Sequence, residues 1–253
     1  MSNEIRPLLS LVIPAYNEAN RLPATLQRIR EHQRSWNFPN EIIIVVEPSV
    51  DGTLALAEEA AKHNAGLRVL THHENRGKGF AVRNGMLQAR GDCIFFMDAD
   101  LSTPLEDLDA GLLRMRKDRT IDVLVGNRQH PETRILQRQN PVRETMGKIF
   151  NRITQAMTGL KIRDTQCGFK GFRQRAAREI FSRQRFDGFS FDVEVLLLAR
   201  AMGFSTVEMP VHWTNSPGSR VRVLRDSAKM LADLCSVRRM VRRTLDEFPC
   251  KNR

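Results

Sequence analysis

The chain has 253 residues, of which 41% are hydrophobic and 27% are charged, a composition that supports a large core and excludes a disordered, collagenous or disulfide-scaffold protein. Lysine and arginine number 40 against 29 acidic residues, and the resulting charge of +11 predicts an acidic partner: a nucleotide or lipid phosphate, an anionic membrane surface or nucleic acid. The four widely spaced cysteines predict free thiols in a reducing cytosol, and we expect no membrane-spanning segment.

The first half of the chain alternates between apolar runs and segments of helical spacing. Five runs of this kind predict buried strands at 8–14, 41–47, 67–72, 92–100 and 121–127. Uninterrupted apolar strands, each followed by an amphipathic helix, are typical of a parallel sheet with crossover helices. We therefore expect an α/β protein with a doubly wound, mostly parallel sheet, helices on both faces, and ligands beyond the carboxyl ends of the strands.

The second half is less regular. Its patterns predict, in order, a helix over 143–159, a glycine-containing loop over 163–172, helices over 174–182 and 190–202, a strand over 205–213 and a long helix over 224–245. No linker-like segment separates the halves, so one domain over 1–253 is predicted.

Two carboxylates follow the fourth predicted strand directly, in the sequence FFMDAD. Asp98 and Asp100 leave a buried strand at positions i and i+2, where both can approach one divalent cation while phosphate oxygens complete its shell. The alternative is a solvated turn in which Asp100 caps the next helix. Carboxylates at the end of a buried strand need a cation or hydrogen-bond donors, which favours a site for Mg²⁺ or Mn²⁺.

A cation, Lys78, lies in the glycine turn that follows the third predicted strand. Gly77 and Gly79 allow close backbone approach, the following helix offers free N–H groups to phosphate, and Lys78 could neutralise a diphosphate. The segment is not a Walker A loop, because the first glycine of that motif is missing and Phe80 replaces its Ser or Thr. An exposed lysine in an ordinary turn is the alternative.

Two further clusters of charged residues lie in the second half. Asp164 and Lys170 belong to the glycine-containing segment IRDTQCGFKGFR. Asp192 and Glu194 open a predicted helix, where the helix dipole alone would explain one of them.

Six segments together resemble glycosyltransferase family 2 enzymes of the GT-A fold. They are LSLVIPAYNEANRLPATL, NRGKGFAVRNGM, MDADLSTP, IRDTQCGFKGFR, FDVEVLLLA and PVHWTNSPGSRV, in family order over about residues 8–235. Within the family the chain is most similar to dolichyl-phosphate β-glucosyltransferases and polyprenyl-phosphate sugar transferases, and DTQCGFK is the segment most specific to that branch. The resemblance implies a metal-dependent, inverting transfer of a sugar to a polyprenyl or dolichyl phosphate in the synthesis of cell-envelope glycans. The expected sugar is glucose, and the expected donor is UDP-glucose.

The same resemblance implies a role for each matching residue on the donor side. The nucleotide pocket would be formed by Pro14, Ala15, Tyr16, Glu18 and Glu47, with Glu47 at the base. Lys78 would lie by the base and diphosphate, and Asp98 and Asp100 would bind the metal, Asp100 the more directly.

The resemblance assigns Arg128 to phosphate, where with Lys78 it would add positive charge beside the donor diphosphate. On the acceptor side it assigns Asp164 to the position of the acceptor-side aspartate, and Lys170 to a basic position facing phosphate. An ionised phosphate acceptor needs little base catalysis, so Asp164 either orients the acceptor or, for a hydroxyl acceptor, deprotonates it. The chain would then consist of a donor half (8–127), an acceptor half (128–223) and a C-terminal helix (224–247).

The chain departs from the family pattern D-D-G-S-x-D-G-T after the second strand. Val46, Glu47 and Pro48 replace the two aspartates and the glycine. Because Glu47 is one methylene longer than aspartate, its reach to a base differs, and the choice of nucleotide stays open.

The predicted C-terminal helix is amphipathic and basic. Its apolar residues recur at helical spacing, at Met230, Leu234, Val237, Val241 and Leu245. Four arginines flank them, Arg238, Arg239, Arg242 and Arg243. The pattern fits either a peripheral contact with an anionic membrane at its cytoplasmic face or a helix packed on the sheet or on the partner of a homodimer, and core packing is favoured.

Other functions are compatible with parts of the sequence. A glycosyltransferase for a soluble or saccharide hydroxyl acceptor would use the same donor site. A nucleotidyltransferase would need a glycine-rich start after the first strand, where this chain has PAYNE. A nucleic-acid-binding module is disfavoured because the basic residues are scattered and no helix-turn-helix or zinc signature is present.

Overall fold

The computed structural model describes residues 6–137, 140–215 and 223–247 of the chain. The strands are β1 (Leu9–Ala15), β2 (Asn40–Val46), β3 (Leu67–Thr71), β4 (Cys93–Met97), β5 (Val123–Asn127), β6 (Arg134–Gln137), β7 (Phe169–Arg173), β8 (Thr206–Pro210) and β9 (His212–Thr214). The helices are α1 (Leu22–Gln33), α2 (Thr53–Lys62), α3 (Lys78–Gln88), α4 (Leu105–Lys117), α5 (Pro141–Thr158), α6 (Gln174–Arg183), α7 (Phe191–Ala201) and α8 (Val223–Glu247).

Seven strands form one sheet in the order β3-β2-β1-β4-β7-β5-β8. All of its strands run parallel except β7, which is antiparallel to both neighbours. Five residues of β1 and five of β2 are fully buried apolar or small side chains, as expected for strands covered on both faces. A separate two-stranded sheet pairs β6 with β9.

Helices cover both faces of the large sheet, each over its own apolar core. Side chains alternate along β1, so that Val12 points into one core while Leu11 and Ile13 point into the other. Helices α1, α2 and α4 contribute to the second core, and α3, α6, α7 and α8 contribute to the first. The predicted doubly wound α/β architecture is confirmed.

The strand order reverses between β1 and β4, the neighbours at the centre of the sheet. From β1 the chain proceeds outward through β2 to β3, then returns through α3 to β4 on the other side of β1. In open α/β sheets the crevice at such a switch point, beyond the carboxyl ends of the strands, is where ligands bind. The loops after β1 and β4 and the start of α3 meet there.

Two predictions for the second half were wrong. The expected loop over 163–172 contains β7, whose Phe169 and Phe172 are fully buried and whose pairing with β4 runs from Met97 opposite Phe169 to Cys93 opposite Arg173. The expected strand over 205–213 is divided: β8 joins the large sheet, and β9 pairs with β6, a strand that the sequence pattern did not predict because all four of its residues are exposed.

The C-terminal helix α8 packs on the body of the protein. Met230, Leu234, Val237 and Val241 are buried in the first core, so the apolar stripe is not available to a membrane, and the core-packing interpretation is confirmed. The neighbouring arginines at 238, 239, 242 and 243 are exposed. Leu245 lies outside the residues whose side chains are described. Within the described ranges, no helix combines the length and the apolarity that crossing a membrane requires.

Candidate active site

The loop after β1 is built by hydrogen bonds from the loop after β2. The backbone N–H of Asn17, a residue with φ of 52°, donates to Ser49 Oγ at 3.0 Å. The N–H of Glu18 donates to Thr53 Oγ1 at 2.8 Å. These bonds fix the shape of the segment predicted to form the nucleotide pocket, where Ala15 is buried and Tyr16 is 41% exposed at the mouth of the crevice.

Glu47, at the end of β2, is 2% exposed and braces the turn before α3. Its Oε2 accepts the backbone N–H groups of Arg76 at 2.8 Å and Gly77 at 3.3 Å. Its Oε1 lies 3.0 Å from His72 Nε2, and the His72 ring meets the edge of Phe80. The carboxylate is thus engaged with the protein, and its predicted contact with a nucleotide base stays a prediction.

The carboxylates after β4 lie in the crevice together with Lys78. Lys78 Nζ is 2.6 Å from Asp98 Oδ1, and the Asp98 side chain remains 38% exposed. Burial lowers the pKa of Lys78, but the charges of Asp98 and Asp192 outweigh this effect and raise it above its ordinary value. The ammonium and the first carboxylate therefore form a charged pair that still faces the crevice.

Asp100, the second carboxylate, has a raised pKa and accepts a backbone hydrogen bond. Burial, and then the charge of Asp98, raise the pKa of Asp100, while the N–H of Ser102 donates to its Oδ1 at 2.9 Å. Leu101, which follows, has a φ of 46°, a conformation that is unusual for a residue with a branched side chain. Two crowded carboxylates on a strained turn are the kind of site that a bound cation stabilises.

Gly168 makes room for Asp98. A Cβ placed on Gly168 would lie 2.9 Å from Asp98 Oδ1 and would overlap Oδ2 and Cγ outright. Gly168 directly precedes β7, which pairs with β4, so the two backbones are held side by side. The glycine is therefore part of the cradle of this carboxylate, a role that its position 70 residues from Asp98 concealed in the sequence.

Arg21 is a charged group of the site that sequence reasoning missed. Its Nε and Nη2 donate to the two carboxylate oxygens of Glu18, each at 2.6 Å. Burial lowers the pKa of Arg21, but the hydrogen bonds and charge of Glu18, followed by the charges of Asp100 and Asp98, raise it more. The spacing of Glu18 and Arg21, three residues apart at the start of a helix, was the available signal.

On the other side of the crevice, Arg128, whose side chain is 27% exposed, forms an ion pair with the fully buried Asp164. Arg128 donates from Nε at 2.7 Å and from its backbone N–H at 3.0 Å to Asp164 Oδ2, and from Nη2 at 2.9 Å to Oδ1. Burial raises the pKa of Asp164, but the Arg128 guanidinium outweighs it and holds that pKa below its ordinary value. Asp164 is therefore ionised and has both oxygens engaged.

A small, open cleft lies beside this pair. Trp213 of β9 lines it, and the Arg128 guanidinium lies 5.7 Å from the centre of the Trp213 ring. Asn151 and Lys148 of α5 line the opposite wall. The cleft combines cationic groups with an aromatic surface, and the small sheet of β6 and β9 is what brings Trp213 to it.

The prediction that Lys170 faces a phosphate does not agree with its position. Lys170 is 0% exposed, because β7 is an interior strand and its side chain points beneath the crevice. Its Nζ lies 2.5 Å from Asp192 Oδ1, donates to the Cys167 carbonyl at 2.7 Å and lies 5.3 Å from the centre of the Phe96 ring. Lys170 and Asp192 form a buried ion pair in the floor of the site.

The structure thus gathers the predicted residues into three groups. The donor-side group consists of Pro14, Ala15, Tyr16, Glu18, Glu47, Lys78, Asp98 and Asp100. Arg128 and Asp164 form a second group by the cleft, and Lys170 with Asp192 forms the third, beneath the other two. The roles of these residues, and the division of the chain into donor and acceptor halves, stay predictions.

Comparison with known proteins gives a consistent result. Residues 10–181 match the model of the glycosyl transferase family 2. The dolichyl-phosphate β-glucosyltransferase of Drosophila melanogaster is 37% identical over 237 residues, covering 89% of this chain and 73% of the relative. The enzymes of the same name from Saccharomyces cerevisiae and Homo sapiens are 33% and 32% identical, each over 91% of this chain and 74% of the relative.

Solved structures share the fold at low sequence identity. Glucosyl-3-phosphoglycerate synthase from Mycobacterium tuberculosis, crystallised with UDP, superposes with a TM-score of 0.64 at 18% identity over 94% of this chain and 80% of that one. Mannosyl-3-phosphoglycerate synthase from Rubrobacter xylanophilus gives 0.65 at 20% identity over 98% and 76%. The GT-A fold expected from the sequence is confirmed.

Proposed function

This chain belongs to glycosyl transferase family 2, and we propose that it transfers glucose from UDP-glucose to a polyprenyl or dolichyl phosphate with inversion at the sugar carbon. Membership of the family makes the protein a glycosyltransferase, which sets aside the nucleotidyltransferase and nucleic-acid alternatives. Relatives at 31–37% identity over about 90% of the chain carry the name dolichyl-phosphate β-glucosyltransferase, which supports this donor and acceptor.

The observation that carries the proposal is the charge arrangement at the end of β4. Asp98 and Asp100 would hold Mg²⁺ or Mn²⁺. Burial and the charge of Asp98 raise the pKa of Asp100, as expected for two neighbouring carboxylates that a cation would stabilise. In the part of the chain that the structure describes, no third His, Cys, Asp or Glu joins them, as is typical of a metal that completes its shell with substrate phosphates. When bound, such an ion supplies charge that stabilises a departing diphosphate.

Lys78 supplies fixed positive charge from the protein itself. Its ammonium lies 2.6 Å from Asp98 and stays protonated because Asp98 and Asp192 raise its pKa. A diphosphate drawn into the crevice would meet this ammonium, and the negative charge on the leaving group grows as the bond between the sugar carbon and the diphosphate oxygen breaks. Lys78 is held in advance, so it needs no rearrangement at that moment.

On the acceptor side, Arg128 is the group suited to a phosphate. An acceptor phosphate carries at least one negative oxygen near neutral pH, so it can attack the anomeric carbon without losing a proton to the enzyme. The new carbon–oxygen bond forms on the face opposite the bond that breaks, and UDP leaves with the electron pair. Asp164 then orients Arg128 through its bidentate contact and has no proton to accept.

The test is a transfer assay with purified protein, UDP-glucose, Mg²⁺ or Mn²⁺, and two acceptors, a short-chain polyprenyl phosphate and a free saccharide. We expect the β-linked lipid product and loss of at least 100-fold in rate for Asp100→Asn, while Asp118→Asn at the exposed end of α4 behaves as wild type. Transfer to the saccharide alone would overturn the lipid acceptor, and transfer unaffected by Asp100→Asn would overturn the role of the carboxylates.

A lipid acceptor requires the enzyme to work at a membrane surface. The net charge of +11 and the exposed arginines of α8 support peripheral contact with an anionic membrane at its cytoplasmic face. Sedimentation with liposomes of neutral or anionic composition tests this, and an absence of pelleting with both would overturn it. The predicted homodimer stays a prediction.

A further inference from the structure

The segment Gln184–Asp187, between α6 and α7, lies directly against the turn that carries Lys78. The Asp187 carbonyl accepts the N–H of Phe80 at 3.2 Å. A Cβ on Gly79 would lie 2.5 Å from the Phe186 carbonyl oxygen, and one on Gly77 would lie 2.8 Å from that of Asp187. Backbone packs on backbone here without space for a side chain, so any shift of the segment moves the start of α3.

Ion pairs also connect the segment Gln184–Asp187 to the start of α3. The Asp187 carboxylate lies 2.8 Å from Arg76 Nη2 and 2.8 Å from Arg83 Nη2, so it joins residues on both sides of Lys78. Arg83 also donates from Nη1 to the Gln184 carbonyl at 3.0 Å, and Gln184 Nε2 donates to the Gly79 carbonyl at 3.1 Å. Glu47 holds the opposite side of the turn through the N–H groups before Lys78.

The segment is itself anchored by Glu194 on α7. Glu194 is 1% exposed, and its Oε1 and Oε2 accept the backbone N–H groups of Arg185 and Phe186, each at 2.8 Å. A buried carboxylate is costly unless its oxygens are engaged, and both are engaged here by one short stretch of backbone. If Glu194 only interacted with the dipole of α7, it would need neither the two hydrogen bonds to this segment nor its burial.

We propose that Glu194 and Asp187 are positioning residues for sugar transfer, which hold Gln184–Asp187 against the start of α3 and so keep Lys78 on Asp98. This inference rests on the proposed function only where it is tested by kinetics, because the hydrogen-exchange measurements below do not require activity. Neither residue approaches Asp98 or Asp100 among the contacts of the described chain, so both act through the Lys78 turn. The sequence offered no sign of this role, since Glu194 and Lys78 are 116 residues apart.

The anchor is sensitive to pH. Burial raises the pKa of Glu194 to about 7, against the opposing effect of its two backbone hydrogen bonds. The charged groups that face it are Arg83 on α3 and Arg185 of its own segment, and both lower the pKa of Glu194. Protonation below pH 7 turns one acceptor oxygen into a hydroxyl donor, so one of the two N–H contacts is lost and the hold on the Lys78 turn weakens.

The test compares wild type with Glu194→Gln, and uses Glu179→Gln, on the exposed face of α6, as the matched control. We expect Glu194→Gln to lower kcat about tenfold, to leave KM for the lipid acceptor within twofold, and to remove from the kcat profile the acid limb near pH 7 that wild type shows. Hydrogen exchange at the amides of residues 76–80 and 185–187 should become at least tenfold faster in Glu194→Gln and remain unchanged in Glu179→Gln.

Asp187→Asn provides a second route if Glu194→Gln folds poorly, because its side chain is partly exposed and only its two ion pairs are weakened. The same exchange pattern at 76–80 with a normal acceptor KM is expected. Unchanged exchange at 76–80 in both folded variants, or a wild-type kcat and pH profile in Glu194→Gln, would overturn the proposal. If wild type transfers glucose to no acceptor, the proposed function fails, while the exchange measurements still decide whether the anchor exists.

Discussion

Substitution of Gly168 by alanine is expected to remove activity by displacing one carboxylate. The φ angle of Gly168 is outside the left-handed region, so alanine is compatible with the backbone. The added Cβ would lie 2.9 Å from Asp98 Oδ1 and would overlap Oδ2 and Cγ. Because β4 and β7 are paired beside this point, the backbone cannot retreat, and the Asp98 carboxylate must move by about 1 Å or more to reach ordinary contact distance.

A displacement of about 1 Å at a reacting centre costs on the order of 100-fold in rate, or about 2.7 kcal/mol of transition-state stabilisation. We therefore expect kcat/KM of Gly168→Ala for UDP-glucose to fall about 100-fold in the lipid-phosphate transfer assay, with a thermal unfolding midpoint close to that of wild type. Gly66→Ala is the matched control, because its Cβ would meet nothing closer than 3.4 Å at the opposite edge of the sheet. A folded Gly168→Ala protein with kcat/KM within threefold of wild type would refute the assignment of Asp98 to the reaction.

Two further variants test the acceptor side and the floor of the site. Asp164→Asn should lower the rate with the lipid phosphate about tenfold without changing the shape of its pH profile, because Asp164 orients Arg128 and takes no proton; a rate that instead rises steadily with pH would identify Asp164 as a base. Lys170→Met removes the ion-pair partner of the buried Asp192, which costs about 3–5 kcal/mol and should lower the unfolding midpoint by about 10 °C. Adding Asp192→Leu should restore part of the lost stability. A double variant no more stable than Lys170→Met would contradict the explanation that the loss comes from the buried Asp192 left without its partner.

The donor half of the molecule was predictable because its physical signals are local. A parallel strand covered on both faces requires a continuous apolar run, and each of the first four runs became a strand of the sheet. The carboxyl ends of parallel strands lie at one edge, so the sequence alone indicated that Asp98 and Lys78 would lie at the same edge of the sheet. The 2.6 Å contact between them agrees with that expectation.

The second half depends on pairings between distant residues, which leave weak traces in the sequence. β7 has only five residues, two of them glycine or lysine at buried positions, and it is a strand because β4 and β5 bond to it on both sides. The family resemblance assigned Lys170 to a position facing phosphate, but its side chain is fully buried. It is buried because Asp192, 22 residues later, supplies the compensating charge.

Asp192 and Glu194 show why a site of this kind cannot be assigned from its conspicuous carboxylates alone. Both lie in the first turn of α7, where the helix dipole would explain one of them, yet Asp192 compensates a lysine beneath the crevice and Glu194 holds the backbone beside Lys78. A single helical turn therefore supports the site at two points. Since catalysis depends on groups held in place before the substrate arrives, the residues that fix Lys78 and Asp98 bear on the reaction rate although they do not touch the substrate.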